Sequence, residues 1–552
     1  MPETRHAVIV GGGHNGLVAA FYLARAGLEP LVLERRPFVG GACNTEEFAP
    51  GFRASTGAYV LSMLREPIWR DMRLARRGLV VDPAGPSLNL FADGTTFMLD
   101  DDVGATQEEI RRFSKADAAA FPAFEAELAG LGEAIRPMFD WTPPNPGLES
   151  PRDLPRLLHL GTRALRYRRR LLGAGYLFST SVSQYLDEWF ESDVLKAALG
   201  WHAINDSVAG PSTPGTAYVL LHDHAAEVAG GGARSWGFVR GGMGVVTELM
   251  ADAAREAGAE IRTDAEVEAV LTEGGRAVGV RLAGGEEVRA GVVLSNADPK
   301  RTFLTLCEPS DLPASFLAGI RAYRCNGTSI KINLAVSELP RAAAMGGNGA
   351  VQPYHRGIVE LSQPLLDMDR AQSLALRGIP ADDPHIELCF PTVHDPSLAP
   401  PGRHVVTIDV NSQPYHLAEG DWDAIREAAA DRAIAQIGAL FPNLEGAILH
   451  RQVLSPLDLE RVIGLTGGHA LHGDMGADQL FSLRPVRGYA DYRTPLPGLY
   501  LCGAGTHPGG GVTGANGRNC AREVVRDAWA ERRAAAARRL GRRVAGGLTR
   551  PA

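Results

Sequence analysis

The sequence predicts an α/β fold: a discontinuous nucleotide-binding domain interleaved with a second, α+β domain. Three observations predict it. Residues 6–10 (HAVIV) read as a short buried strand running into Gly11-Gly12-Gly13-His14-Asn15-Gly16 and a helical stretch. A second strand, residues 30–33, ends on Glu34, completing a βαβ unit with an acid at the distance a dinucleotide site requires. Near the other end, a further strand enters a second Gly-rich loop that opens another helix.

Each part of the first unit has a physical task. Gly11 allows the tight turn, and Gly13 lets the backbone approach a pyrophosphate drawn to the helix N-terminus. Gly16 lets helix and strand pack closely, and Glu34 is placed to accept bonds from ribose hydroxyls. The helix is expected over 17–26, stopped by Gly27. Arg35 and Arg36 follow, then Gly40-Gly41-Ala42. A second Gly pair just past the acid is usual where a chain folds back over a flavin dinucleotide. Alone it is equally an ordinary loop.

Further on, Trp236 to Gly244 (WGFVRGGMG) opens a helix expected over 245–258. Strands are expected at 260–262, 266–272, 277–282 and 288–290, with 291–295 returning as a core strand. The GGMG run is not a second nucleotide site, because no strand ending in an acid follows it at the right distance. At the far end a turn at 497–498 leads into a strand and then Gly503-Ala504-Gly505, with Gly511-Val512-Thr513 before a helix over 518–533. That series brings backbone N–H groups and a helix dipole to an anion or an electron-rich ring edge. The chain order gives a nucleotide domain from 1–75, 235–300 and 490–530, a substrate domain from 76–234 and 301–489, and an Arg/Ala-rich tail at 531–552.

The segments GGGHNGLVAAFYLARAG, LERR with its following GGA, WGFVRGGMG, VLSNADP and LYLCGAGTHPGGGVTGANGRNCA together resemble the phytoene desaturase-like FAD-dependent oxidoreductases. Within that family the likeness is closest to the branch named pyridine nucleotide-disulfide oxidoreductase domain-containing protein 2. It runs from about residue 6 to about residue 525. The resemblance implies FAD as cofactor and a Rossmann-like domain of the glutathione reductase/amine oxidase type. Carried over by position, the FAD contacts are Gly11, Gly12, Gly13, His14, Asn15, Gly16, Glu34, Arg35, Gly40, Gly41, Ala42, Val267 (by its backbone, against the adenine), Gly503, Ala504, Gly505, Gly511, Val512 and Thr513. Ala504 departs from the wider superfamily, where an acid is common.

Composition fits a large globular enzyme: 552 residues, 45% hydrophobic and 22% charged. The net charge of −8 argues against a nucleic-acid partner. Six scattered cysteines without a C-x-x-C fit reduced thiols in a cytoplasmic setting; neither a redox dithiol nor a metal site is expected. No signal peptide precedes the first strand, and no apolar run reaches the length of a membrane span. Residues 156–172 mix Leu with many Arg and read as a basic amphipathic helix. It is either a solvated face or a peripheral contact with an anionic membrane.

Chemistry follows from the cofactor implied. A flavin takes a hydride at N5 from a substrate C–H bond held against the ring, while the protein orients, excludes water and handles the proton. Two catalytic candidates stand out. His507 lies in the C-terminal loop, where it either handles a proton or braces the turn. Lys331, in the alternating run SIKIN, either faces flavin N5 or is a solvated strand lysine. His469 and His472 lack a third ligand, so no metal is expected. Arg484 braces the C-terminal motif or binds an anionic group. Trp201-His202 and residues 218–224 either line the pocket or serve core and surface.

The reading is a desaturase- or dehydrogenase-like enzyme acting on a small hydrophobic, polyene or lipid-like substrate, with oxygen or a quinone as electron acceptor. The alternatives are an amine or C–N oxidase and a non-catalytic flavoprotein.

Overall fold

The computed structural model describes residues 3–145, 147–148, 150–205, 208–225, 236–346 and 349–547. The expected domain boundary at 234/235 and the last five residues of the expected tail lie outside the described residues.

Apolar strands buried on both faces make the first sheet. Glu3–Val10 pairs in parallel with Pro30–Leu33 on one side and Glu287–Ser295 on the other. Glu260–Arg262 extends the sheet beyond Pro30–Leu33, and Leu499–Leu501 joins the far half of Glu287–Ser295, both in parallel. The hairpin Val267–Glu273 and Arg276–Leu282 completes it antiparallel. Strand order reverses between Glu3–Val10 and Glu287–Ser295, so a crevice opens past their carboxyl ends, where ligands of such sheets bind. The helices His14–Arg25, Gly244–Glu256 and Ala515–Gly547 pack on one face of this sheet.

Two expectations are corrected here. Residues 288–295 form one strand, because its first half pairs antiparallel with the hairpin and its second half in parallel with Leu499–Leu501. The Arg-rich segment forms two helices, Asp153–Arg166 and Arg168–Ser179, broken at Tyr167, with Leu158, Leu165 and Leu172 exposed. The last helix runs from Ala515 to Gly547, so the Arg/Ala-rich tail extends it. No helix among the described residues is long and apolar enough to cross a membrane.

A second seven-stranded sheet runs in the order Ile448–Leu454, Ile330–Val336, His404–Val410, Ile386–Cys389, Ile358–Leu361, Ser87–Leu90, Thr96–Leu99. Its sequences alternate apolar and polar, as in a sheet with one wet face. The apolar face, including Ile332, Ile408, Leu388 and Val359, packs against the helix Trp422–Leu440. The polar face is buried too: all seven residues of Ile330–Val336 are inaccessible or nearly so. Helices between Val103 and His224 form a third core. Val81–Pro83 pairs antiparallel with Gly237–Val239 in a separate two-stranded sheet.

Candidate functional site

A cavity of about 530 Å3 begins at the crevice of the first sheet and ends against the polar face of the second. Its near end is backbone. Gly11, Gly13, Gly40, Gly41 and Ala42 line it, with Gly13 and Gly40 bridged as in a parallel ladder. His14 and Asn15, at the start of the helix, line it beside them, so the helix N-terminus faces the cavity.

Beside this trough, Glu34 accepts bonds from the backbone N–H of Gly12 (2.7 Å) and of Arg36 (2.9 Å). Arg35 and Val267 also line this end. The floor of the other wall comes from Ala504, Gly511 and Val512. A bare-backbone trough, a helix N-terminus and a carboxylate at the end of the second strand are the features that hold a dinucleotide.

The remaining predicted contacts support the trough from behind. A Cβ at Gly16 would sit 2.3 Å from the Gly11 carbonyl, so this glycine is needed for helix–strand packing. Gly503 approaches the Asn296 carbonyl, and Gly505 approaches Pro299, in the same way. Thr513 Oγ1 accepts from Ala515 N–H, at the start of the last helix. Two residues that sequence reading missed organise the loops. Asn296 donates to the Gly11 carbonyl, and Asn516 donates to the carbonyls of Thr506, His507 and Gly509. Their one signal was position: VLSNADP follows a predicted strand, and GAN opens a predicted helix.

The two catalytic candidates part company. His507 does not line the cavity. Its Nε2 pairs with the Met138 carbonyl at 2.8 Å, and burial lowers its pKa to about 4, so the ring is neutral and braces the loop. The expectation that it serves as the proton-handling group is corrected on that ground. Lys331 does line the cavity and is 3% exposed, which removes the solvated-lysine reading. Its Nζ lies 3.4 Å from the centre of the Tyr59 ring, a cation–π contact.

Of the other candidates, His202, Val219, His222 and His472 line the cavity, while Trp201 is core and stacks on His385. His14 and His222 are lowered to about 4 and about 3, chiefly by burial and then by a neighbouring histidine, so both are neutral. Among the described residues no group of His, Cys, Asp and Glu is arranged to hold a metal ion. All six cysteines are free and buried, so there is no disulfide.

Comparison with known proteins places these features. Residues 16–525 match the family model described as flavin containing amine oxidoreductase. The chain is 42% identical to the rat pyridine nucleotide-disulfide oxidoreductase domain-containing protein 2, over 94% of this chain and 93% of the relative. It is 29% identical to a component of the limonene dehydrogenase of Castellaniella defragrans, over 94% of each. It is 26% identical to a Neurospora crassa phytoene desaturase, over 93% of this chain and 83% of that one. Among solved structures, putrescine oxidase bound to putrescine superimposes with a TM-score of 0.60 at 17% identity, covering 96% of this chain and all of that one.

Proposed function

This chain belongs to the flavin containing amine oxidoreductase family, with FAD as cofactor; from that premise we propose that it is a desaturase- or dehydrogenase-like enzyme acting on a small hydrophobic substrate. The observation that carries the reading is the continuity of the cavity, from the glycine trough to the Lys331 wall, with Val60, Met63, Val219, Leu471 and Met475 along its course. Apolar lining of that kind favours an apolar molecule, because a polar one would lose its hydration without replacement bonds. When bound, FAD supplies the hydride acceptor, N5. The chain's own residues do the rest. The glycine trough, the N-terminus of His14–Arg25 and Glu34 hold the dinucleotide. The apolar lining orients the substrate and excludes water. Lys331 sets its Nζ over the Tyr59 ring at the substrate end.

One observation favours a second reading, amine or C–N oxidation: Asp409, a carboxylate able to attract an ammonium group, lines the cavity beside Lys331. One experiment separates the two. The FAD-loaded protein is mixed anaerobically with limonene, phytoene or putrescine, and the flavin band is followed. Bleaching by a terpene and not by putrescine supports the proposal; the reverse supports the amine reading. No bleaching by any of them, in a protein that binds FAD, favours a non-catalytic flavoprotein. Reoxidation of the bleached protein by air or by a soluble quinone then separates the two electron acceptors.

A further inference from the structure

Four strands of the second sheet place a row of ionisable side chains on one face. Lys331 lies directly across from Asp409, Asp409 from Glu387, and Glu387 from Glu360. Residues opposite one another on adjacent strands point to the same face, so this row is a ladder of neighbours. It is also buried: Lys331 is 3% exposed, and Glu387 and Glu360 are 1% each. Asp409 alone keeps partial accessibility, and Asp409 and Lys331 are the two members that line the cavity.

The charges in this row do not balance. Three carboxyls share the row with one amine, and all but Asp409 are buried. A buried carboxylate persists only when paired or well bonded; otherwise it takes up a proton. A charged Lys331 balances one negative charge, which leaves the row neutral when two of the three acids carry protons.

The surroundings say where. Glu360 faces His202 and His385 at 4.0 and 3.9 Å, and burial with Glu387 nearby holds its pKa far above the carboxylate range. It keeps one proton. Glu387 is pushed up to about 7 by burial and by Asp409, against the opposing pull of the Tyr59 hydroxyl, Lys331 and Trp201 Nε1. Asp409 is raised by burial, with Lys331 and Ser329 opposing. The Cys389 thiol, also packed here, is pushed well above its ordinary value and stays neutral.

We infer that Asp409 and Glu387 hold one proton between them at neutral pH, and that Asp409 is the group on the cavity wall that receives the proton leaving the substrate. The inference rests on the oxidoreductase reading above. The step balances: one substrate C–H bond gives its electron pair and hydrogen as hydride to the flavin. The adjacent C–H bond, or an N–H bond in the amine reading, gives its proton to the Asp409 carboxylate, while its electron pair becomes the new π bond. With the shared proton on Glu387, the Asp409 carboxylate takes the substrate's proton, and both carboxyls are then neutral.

Infrared difference spectra of the FAD-loaded protein test this without a substrate. A protonated carboxyl has its own C=O stretch, and three variants assign it: Asp409→Asn, Glu387→Gln and Glu360→Gln. The expected result is two bands at neutral pH. One is lost only in Glu360→Gln and persists as pH rises. The other titrates near neutrality and is lost or shifted in both Asp409→Asn and Glu387→Gln. A titrating band that ignores either substitution, or no such band, overturns the shared proton. With the compound that bleaches the wild-type flavin, Asp409→Asn should slow bleaching about 10²- to 10⁴-fold, the usual worth of a positioned base. Its photoreduction by light and EDTA, which needs no substrate proton, should keep the wild-type rate. Equal loss in both overturns the role of Asp409. If no compound bleaches the flavin, the oxidoreductase reading and the role of Asp409 fall together, while the infrared result still decides the shared proton.

Discussion

Glu34 and Gly12 are joined by a 2.7 Å hydrogen bond from the glycine N–H to the carboxylate. The acid that ends the second strand therefore does two things: it fixes the glycine loop and it faces the cavity. Glu34→Ala removes the acceptor for Gly12 and Arg36 and the acceptor offered to the ribose. A hydrogen bond to a charged group contributes about 1.5–3 kcal/mol. FAD binding is expected to weaken about 10- to 100-fold, at about 1.4 kcal/mol per tenfold. Titration of apoprotein with FAD, read by flavin fluorescence, checks this; an unchanged Kd would show that Glu34 holds the loop and not the cofactor.

Arg484 is fully buried and donates only to backbone carbonyls: twice to Ala504 and once each to Leu471, Gly473 and Asp474 at 3.2 Å or less. It braces the loops that carry Ala504 and Leu471 into the cavity. Arg484→Lys keeps the charge but loses the planar fork. It is expected to destabilise the protein by about 3 kcal/mol or more, since several charged bonds are lost at once. Thermal unfolding with and without FAD checks it, with the larger drop expected in the FAD-bound form.

What was legible in the sequence, and what was not, follows from the range of each interaction. The glycine trough was legible in part because the demand on Gly16 is local, a Cβ there meeting the Gly11 carbonyl, whereas the side chain that crowds Gly13 belongs to the distant Asn296. Lys331 was visible as part of an alternating strand, but its burial was not. Alternation ordinarily marks a wet face, and only the sheet's placement over the cavity turns that face inward. Asp409, Glu387 and Glu360 went unnoticed because they meet across three strands and lie up to 49 residues apart in the chain. His507 misled because its loop belongs to the site while its ring turns to Met138, 369 residues away.

Lys331→Met removes the one ammonium group in the acid row. Asp409 and Glu387 then lose an attraction that lowers both pKa values, so the folded protein binds a further proton. A carboxyl whose folded pKa is raised costs stability as pH climbs from its unfolded value to its folded one. The deficit of Lys331→Met relative to wild type should therefore grow between about pH 5 and pH 8, by up to about 1.4 kcal/mol per pH unit. Urea midpoints across that range measure it. A deficit independent of pH would mean that Lys331 contributes packing over Tyr59 and not charge.

Glu523 gives the opposite pH dependence. Its side chain is 1% exposed and lies within 3.0 Å of Arg156, Arg493 and Arg526, with Thr142 Oγ1 donating at 2.6 Å. Burial pushes its pKa up, but Arg156, Thr142 and Arg493 together outweigh burial and hold it below the ordinary value. It pins the helix Asp153–Arg166 to the last helix through Arg156. Glu523→Gln leaves three guanidinium groups around a neutral amide, and breaking a buried pair from one side costs about 3–5 kcal/mol. A carboxylate with a depressed folded pKa stabilises fully above its unfolded value, about 4.3, and loses that contribution as pH falls through the folded one. The gap between wild type and Glu523→Gln should be constant from neutral pH down to about 5 and close below about 4. Urea midpoints of both proteins at neutral and acid pH read it directly. A gap that persists in acid would mean that the carboxylate holds the two helices by its shape and hydrogen bonds, with its charge contributing little.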